Sequence, residues 1–203
     1  MNKTKKIIFK TKASGYSPLK NKLETDLKDI FSIIEDAHFS YEIWWILVSK
    51  DGRGKYFQEM LHYKEFFQPT AYAHITSLIV NLYKLFETRK DTLNFPRLIN
   101  EAKSLNIFNP KQIESELKEA KDLWIKIVIL RNKLFAHKNY RLDRKTIYKE
   151  AKIKPNCIKR LIELDLIIFN ALWNSLGKKS KNTDNFSTRD TNKLFTDLQK
   201  INT

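Results

Sequence analysis

The feature that most constrains the fold of this chain is the length of its helical apolar pattern. Between residues 19 and 177 apolar side chains recur at spacings of three and four residues, and the 203-residue chain holds only four Gly and five Pro. That spacing is typical of one face of a helix, and so few turn residues leave little material for many short strands. The sequence therefore predicts an all-α fold, an antiparallel bundle of long core helices with shorter accessory helices.

Turn signals divide this pattern into separate helices. We expect a first helix over residues 19–50, ended by the glycine-containing stretch 50–54. A second helical stretch covers residues 56–87, and Pro69 should split or kink it, with Thr70 capping the helix on its C-terminal side. Further helices are predicted over residues 96–105, 110–136 and 155–176. Gly177 should end the last of them. The charged segment 141–154 should hold one short helix that starts at Asp143.

The chain is of a size that forms one domain with a substantial core. We expect a basic N-terminal arm over residues 1–18, a helical domain over residues 19–177 and a polar C-terminal tail over residues 178–203. The tail carries one amphipathic turn, formed by Leu194, Phe195 and Leu198.

The cysteine content and the hydropathy of the sequence indicate the cellular compartment. Cys157 is the one cysteine, so no internal disulfide can form, and this fits a reducing environment. The N-terminal apolar run, Ile7 to Phe9, is too short for a signal peptide, and no stretch approaches the length of a membrane span. The sequence predicts a cytoplasmic protein. Zinc-finger spacing and glycine-rich phosphate loops are absent from the sequence, so we expect neither a metal nor a cofactor.

The charge of the chain points to a polyanionic partner. The formal net charge is +15, which favours nucleic acid first and an anionic membrane surface second. Residues 131–160 hold eleven Lys or Arg and two acids. A solvated basic face explains such a run equally simply, but here it surrounds the best candidate site. A membrane role is disfavoured because the stretch lacks a matching apolar face.

That candidate site is the pair Arg131–Asn132 followed by His137 at the end of a long helix. Arg131 offers a fixed fork of five donors suited to phosphate, His137 can exchange a proton near neutral pH, and Asn132 can orient a substrate. Basic residues also occur at helix ends simply to complement the helix dipole. Arg131, however, falls on the apolar stripe of its helix, where a cation needs a partner or a wet cavity. Glu87 and Asp91 are candidates for that pairing, or else they are surface caps.

The spacing within the motif carries a geometric condition. Six steps of about 100° leave Arg131 and His137 roughly 120° apart on a straight α-helix. Two side chains so placed cannot meet at one phosphate. Either the helix ends or distorts between them, or a second copy of the chain supplies the missing group.

The motif resembles the signature of the HEPN superfamily, an Arg, a polar residue, a short spacer and a His. Arg131–Asn132 and Ala136–His137 carry the resemblance, and the branch it looks most like is the AbiU-type abortive-infection proteins. The upstream match comprises Ser77–Leu78, residues 82–86 and residues 91–98. The resemblance implies a HEPN-like helical bundle that dimerises and cuts RNA without a metal. Arg131 and His137 would be catalytic and Asn132 auxiliary.

The function implied is a metal-independent endoribonuclease of a toxin–antitoxin or abortive-infection system. His137 would deprotonate a ribose 2′-hydroxyl, giving 2′,3′-cyclic phosphate and 5′-hydroxyl ends. The alternative is a non-catalytic HEPN-like module that binds RNA or protein. Expected RNA-binding residues are Lys133, Lys138, Arg141, Arg144 and Lys145. Expected partners are RNA, a second copy of the chain and an antitoxin, of the nucleotidyltransferase type or another; some relatives carry a modified Tyr near the position of Tyr140.

Three further histidines lie among predicted core aromatics. They are His38, His62 and His74. We expect packing rather than chemistry at all three.

Overall fold

The computed structural model describes residues 18–89, 91–136, 144–184 and 186–201, and within these ranges the chain is an all-α bundle. The predicted fold class is confirmed. The helices are α1 (Pro18–Val48), α2 (Lys50–His62), α3 (Lys64–Leu85), α4 (Phe95–Ser104), α5 (Glu114–Leu130), α6 (Arg144–Ala151), α7 (Pro155–Ser175) and α8 (Phe186–Ile201). A 3-10 turn, Pro110–Ile113, precedes α5, and a π-helical segment, Arg131–Ala136, follows it.

The main core lies between α1, α3, α5 and α7. Helix α1 packs chiefly on α3, and α7 packs on both α1 and α5. Fully buried aliphatic side chains fill the centre, each contributing about 1.5–3 kcal/mol by its removal from water. The Phe31 and Phe169 rings meet at 4.9 Å between α1 and α7. Lys178, just past α7, pairs with Glu24 near the start of α1 at 2.9 Å, so these two helices run antiparallel.

A sharp corner joins α1 to α2 where the sequence predicted an extended break. Ser49 alone separates the helices, and its Oγ accepts a hydrogen bond from the Gly52 amide at 3.0 Å. The first turn of α2 lies so close to the end of α1 that a Cβ on Gly52 would lie 1.9 Å from the Ile46 carbonyl oxygen. Gly52 therefore permits this close approach of the two helices. It does not end a helix in a loop.

The predicted division at Pro69 is wrong in position. Helix α3 continues through Pro69, and the boundary between α2 and α3 falls at Tyr63. The Thr70 hydroxyl donates to the Phe66 carbonyl at 2.6 Å, one turn back, and so does not cap a helix. A proline beyond the first turn of a helix removes one backbone hydrogen bond, and its ring crowds the carbonyl one turn back, at a cost of about 3 kcal/mol or more. Burial of Phe67 on one side and Ile75 on the other offsets that cost.

The C-terminal region forms a longer helix than the single amphipathic turn predicted. After Gly177, which has φ +78°, the chain folds back. The Asn170 side chain fixes this return, donating to the Lys181 carbonyl at 2.9 Å and accepting from the Lys181 amide at 2.8 Å. Helix α8 then packs on α1 and α2. The proposed division of the chain at residue 177 stays a prediction.

Helix α8 completes a second, smaller core. The Phe195 ring is fully buried, 4.3 Å from the Tyr56 ring and 4.8 Å from the Phe67 ring. The Tyr56 hydroxyl donates to Asn192 Oδ1 at 2.8 Å. Leu47 of α1 closes the cluster. None of the described helices is both long and apolar enough to cross a lipid bilayer.

Candidate functional site

The candidate site lies where α5 ends, and an aromatic anchor fixes the position of that helix. The Trp124 indole Nε1 donates to the Tyr83 carbonyl of α3 at 3.0 Å, and its ring stacks on the Tyr83 ring at 5.9 Å. Ile127 and Leu130 of α5 are fully buried in the main core. Helix α5 therefore cannot rotate without breaking both contacts, and its end is held against α3.

The predicted α-helix over residues 110–136 changes form at Arg131. Residues Arg131–Ala136 adopt π-helical geometry, in which each turn holds about one residue more than an α-helical turn. Such segments occur frequently at functional sites. The spacing of Arg131 and His137 required a distortion or a second chain, and a distortion begins at Arg131. His137 itself lies outside the described residues.

Arg131 stacks on an aromatic ring. Its guanidinium carbon lies 4.6 Å from the Tyr83 ring centroid, and Nη1 donates to Asn132 Oδ1 at 3.0 Å. The suggested pairing with Glu87 or Asp91 is not found among the described contacts, because Arg89 pairs with both carboxylates, at 2.9 and 3.8 Å. Among the described residues Arg131 has no carboxylate within ion-pair distance. Its positive charge therefore remains available to an anion.

Tyr83 also sets the direction of that charge. A guanidinium lying over a ring face is attracted by the ring quadrupole while its edges stay open to hydrogen-bond acceptors. Asn132 is exposed, and its amide oxygen holds one edge of the guanidinium. The pair is thus oriented before any substrate binds, the condition under which a charged donor acts most effectively. Tyr83 was not predicted to be a site residue, although it belongs to the upstream 82–86 match.

The predicted RNA-binding residues are described only in part. The Lys133 ammonium pairs with Glu150 of α6, which joins the π-helical segment to α6 and balances this positive charge. Arg144 and Lys145 begin α6, but their side chains are outside the described part of the structure. Lys138, Tyr140 and Arg141 lie outside the described residues altogether. Their roles stay predictions.

The other histidines have ordinary surroundings. His74 is half-buried, and burial lowers its pKa, which favours the neutral form expected of a packing residue. The exposed His62 ring meets the edge of Tyr63 at 4.6 Å. Within the described ranges no three His, Cys, Asp or Glu side chains are grouped as metal ligands would be.

A cleft beside the site was not predicted from the sequence. It has a volume of about 390 Å³ and opens between α1, α2, α3, α6 and the π-helical segment. Its lining includes Trp44, Arg53, Tyr72, Leu134 and Tyr148. Trp44 and Tyr72 fit the helical apolar spacing of α1 and α3, and that spacing alone would place both residues in the interior. Their meeting at one cleft depends on how three helices pack and carries no local sequence signal.

Comparison with known families decides the classification. The chain matches the family model HEPN_AbiU2, described as AbiU2, over residues 19–197. The chain belongs to the AbiU2 family of HEPN domains. This confirms the resemblance drawn from Arg131, Asn132 and His137. The AbiU2 match extends through most of α8, so it includes much of the region that was expected to be a tail. No curated protein and no solved structure shows significant similarity to the chain.

Proposed function

We propose that this AbiU2 protein is a metal-independent endoribonuclease of an abortive-infection or toxin–antitoxin system. The observation that carries the proposal is the setting of Arg131. Its guanidinium rests on Tyr83, is held by Asn132 and has no described carboxylate partner. It also stands at the start of the π-helical segment that leads to His137. An oriented cation close to a proton-transfer residue is what phosphoryl transfer requires.

The proposed reaction is an internal transesterification. His137 takes the proton of a ribose 2′-hydroxyl, whose oxygen forms a bond to the adjacent phosphorus. The bond from phosphorus to the 5′-oxygen breaks, and the leaving oxygen takes up a proton. The products are a 2′,3′-cyclic phosphate and a 5′-hydroxyl end. Proton transfer by a positioned side chain contributes about 10²–10⁴-fold.

Arg131 and Asn132 have distinct roles in this reaction. The guanidinium donates to the non-bridging oxygens of the phosphate, where negative charge develops as the fifth bond forms. Loss of one such donor costs roughly 10²–10³-fold in rate. Asn132 holds the guanidinium through Oδ1 and keeps its own amide hydrogens for the phosphate or for His137. Tyr83 is a positioning residue beneath the guanidinium.

A non-catalytic HEPN module is the second candidate, and one observation favours it. The contact of Arg131 with Tyr83 joins α5 to α3 and would have the same geometry if its purpose were packing alone. In that case the basic residues around the motif would bind RNA or protein without cleaving it. The two candidates differ in what the removal of His137 does.

The test is cleavage of a defined single-stranded RNA in excess chelator, with the matching DNA as control. We expect RNA to be cut and DNA to stay intact, because DNA lacks the 2′-hydroxyl. A single 2′-deoxy sugar at the cut position should block that cut. Cleavage of the deoxy substrate would contradict the mechanism.

Variants separate the enzyme from the binding module. His137→Ala should abolish cleavage while RNA binding persists, and His62→Ala, on an exposed histidine away from the motif, is the matched control. Arg131→Lys keeps the charge but loses the fork, so it should lower the rate by about 10²-fold. Equal behaviour of wild type and His137→Ala would favour the binding module.

We also propose an RNA substrate, a homodimer and an antitoxin partner for this protein. An antitoxin of the nucleotidyltransferase type would act on a tyrosine near the motif, and Tyr140 is the candidate. Mass spectrometry of the protein co-expressed with such a partner tests this modification.

A further inference from the structure

The cleft beside the π-helical segment is lined by exposed aromatic rings and a cation. Tyr72 of α3 is 46% exposed, and Tyr148 of α6 is 37% exposed. Trp44 of α1 forms a third side, and Arg53 and Gln68 also line the cleft. Rings exposed to this degree leave much of their apolar surface outside the folded core. Part of each of these two side chains is therefore accessible to a ligand.

The charge around the cleft is of one sign. Among the described residues no Asp or Glu lines it, and Arg53 has no carboxylate partner there. The lining continues past Arg53 and Gln68 into a hollow of about 310 Å³ between α2 and α3, which Lys64 borders. The polar cleft beside α4 differs, because there Arg89 and Arg97 are already paired with Glu87 and Glu101.

The cleft also has a defined place relative to Arg131. Leu134 belongs both to the π-helical segment and to the cleft lining. Tyr72 precedes Tyr83, the ring beneath Arg131, by eleven residues on α3. At 1.5 Å per residue this is about 16 Å along the helix axis. A strand whose phosphate meets Arg131 would therefore reach Tyr72 with a nucleotide a few positions along the strand and not with the one being cut.

We propose that this cleft is a nucleobase subsite, in which Tyr72 and Tyr148 stack a base of a single-stranded RNA and Arg53 contacts its backbone. Aromatic faces combined with cations are how proteins hold single strands. The proposal rests on the proposed function for its ligand. The subsite would determine where the RNA strand lies, and its residues are separate from those that cut the strand.

The experiment measures binding of an RNA oligonucleotide carrying a 2′-deoxy sugar at the mapped cut position, by fluorescence anisotropy at one salt concentration. Tyr72→Ala should weaken binding roughly tenfold or more, through the loss of base stacking. Tyr72→Phe keeps the ring and should bind like wild type. Phe66→Ala, which removes a 60% exposed ring of α3 outside the cleft, is the matched control and should also bind like wild type.

A second measurement removes the base instead of the ring. A series of oligonucleotides, each with one abasic position, should show one position away from the cut at which wild type loses affinity. Tyr72→Ala should be insensitive to loss of that same base, because the stacking partner is already gone. Arg53→Gln should bind RNA more weakly than wild type. In a salt titration, the slope of log affinity against log salt concentration should fall in magnitude by about one.

The outcomes separate this proposal from the function on which it rests. If wild type cleaves RNA but Tyr72→Ala and Arg53→Gln both bind like Phe66→Ala, the subsite is wrong and the nuclease stands. If no RNA is cleaved, the same binding measurements are made on the unmodified oligonucleotide. If the abasic and Tyr72 effects coincide there, the subsite stands and the nuclease is wrong. If Tyr72→Ala changes the molar mass of the assembly, measured by light scattering, as well as the affinity for RNA, the cleft is a protein interface and the proposal is overturned.

Discussion

At the scale of single residues, Arg131 illustrates how an apparent conflict in the sequence is resolved. An arginine on an apolar helical stripe required a partner, and a carboxylate was the natural expectation. The structure supplies an aromatic face at 4.6 Å and a neighbouring amide. A carboxylate would have neutralised the charge, whereas a ring stabilises it by about 0.5–1 kcal/mol at exposed sites. The guanidinium is thereby held in place and stays positive toward solvent.

Asp165 is the residue whose setting is least favourable to the fold. It lies on α7, is 0% exposed and accepts no hydrogen bond from a described residue. Burial raises the pKa of its carboxyl well above the ordinary value. The folded state therefore binds this proton more tightly than the unfolded state does. The resulting stability is fully present below the unfolded pKa, about 3.9, and declines as pH rises from there toward the folded pKa.

Asp165→Asn should remove this pH dependence. The amide has nearly the same shape and no charge, so the variant should equal wild type in stability near pH 4. Above that, it should gain up to about 1.4 kcal/mol per pH unit until the folded pKa of Asp165 is reached. Urea unfolding at several pH values measures the difference. A variant less stable than wild type at pH 8 would show that the carboxylate has a stabilising partner.

At the scale of elements, the π-helical segment is the one whose register bears most on the chemistry. It places Arg131 at the end of a fixed helix and carries Lys133, which pairs with Glu150 of α6. A π-helical turn accommodates one extra residue with little rotation of the helix beyond it. Insertion of a further residue would rotate everything after it by about 100°. The geometry between Arg131 and the residues beyond the segment would change without loss of the helix.

Insertion of one alanine after Lys133 should therefore abolish RNA cleavage, with a loss of at least about 10²-fold, while circular dichroism shows the helix content retained. Lys133→Ala is the control, because it removes the pairing with Glu150 but keeps the number of residues. It should retain cleavage within a few-fold. Equal activity of the insertion and the control would mean that this register does not position the site.

Helix α8 is the element whose attachment depends most on one side chain. Phe195→Ala should lower the free energy of unfolding by about 3–5 kcal/mol, because it empties the space between Tyr56 and Phe67. Leu194→Ala, at the neighbouring position with a 46% exposed side chain, should change stability by no more than about 0.5 kcal/mol. Urea unfolding of both variants tests the difference. Equal effects would show that α8 contributes no core.

At the scale of the whole molecule, the proposed homodimer places two motifs at one interface. A symmetric interface uses one surface patch twice, and we expect that patch to include the end of α5. If each site takes Arg131 from one chain and His137 from the other, a mixed dimer of two inactive variants contains one complete site.

Co-expressed Arg131→Ala and His137→Ala chains should then recover about a quarter of wild-type activity. Random pairing makes half of the dimers mixed, and each of these has one working site out of two. Cleavage of RNA by the purified mixture measures the recovery, with each variant alone as the control. A fully active monomer, shown by light scattering and by activity that does not fall on dilution, would contradict the dimer.

Helix content was predictable from sequence because the apolar spacing that marks a helical face is local. Helices α1, α4 and α7 lie within two residues of their expected bounds. The corner at Ser49 and the continuity of α3 through Pro69 were not predictable. Both depend on what the flanking residues bury: Gly52 against the Ile46 carbonyl, and Phe67 against Phe195.

The sequence by itself determined the all-α class, the family and the identity of Arg131 and Asn132 as the residues to examine, because periodicity and motif are properties of neighbours along the chain. Only the tertiary structure decided that Arg131 rests on Tyr83, that Glu87 and Asp91 belong to Arg89, and that Tyr72 shares a cleft with Tyr148. The contacts of Arg131 and Tyr72 join helices far apart in sequence. The packing angle and register between those helices are set by the whole buried core, and no local pattern records them.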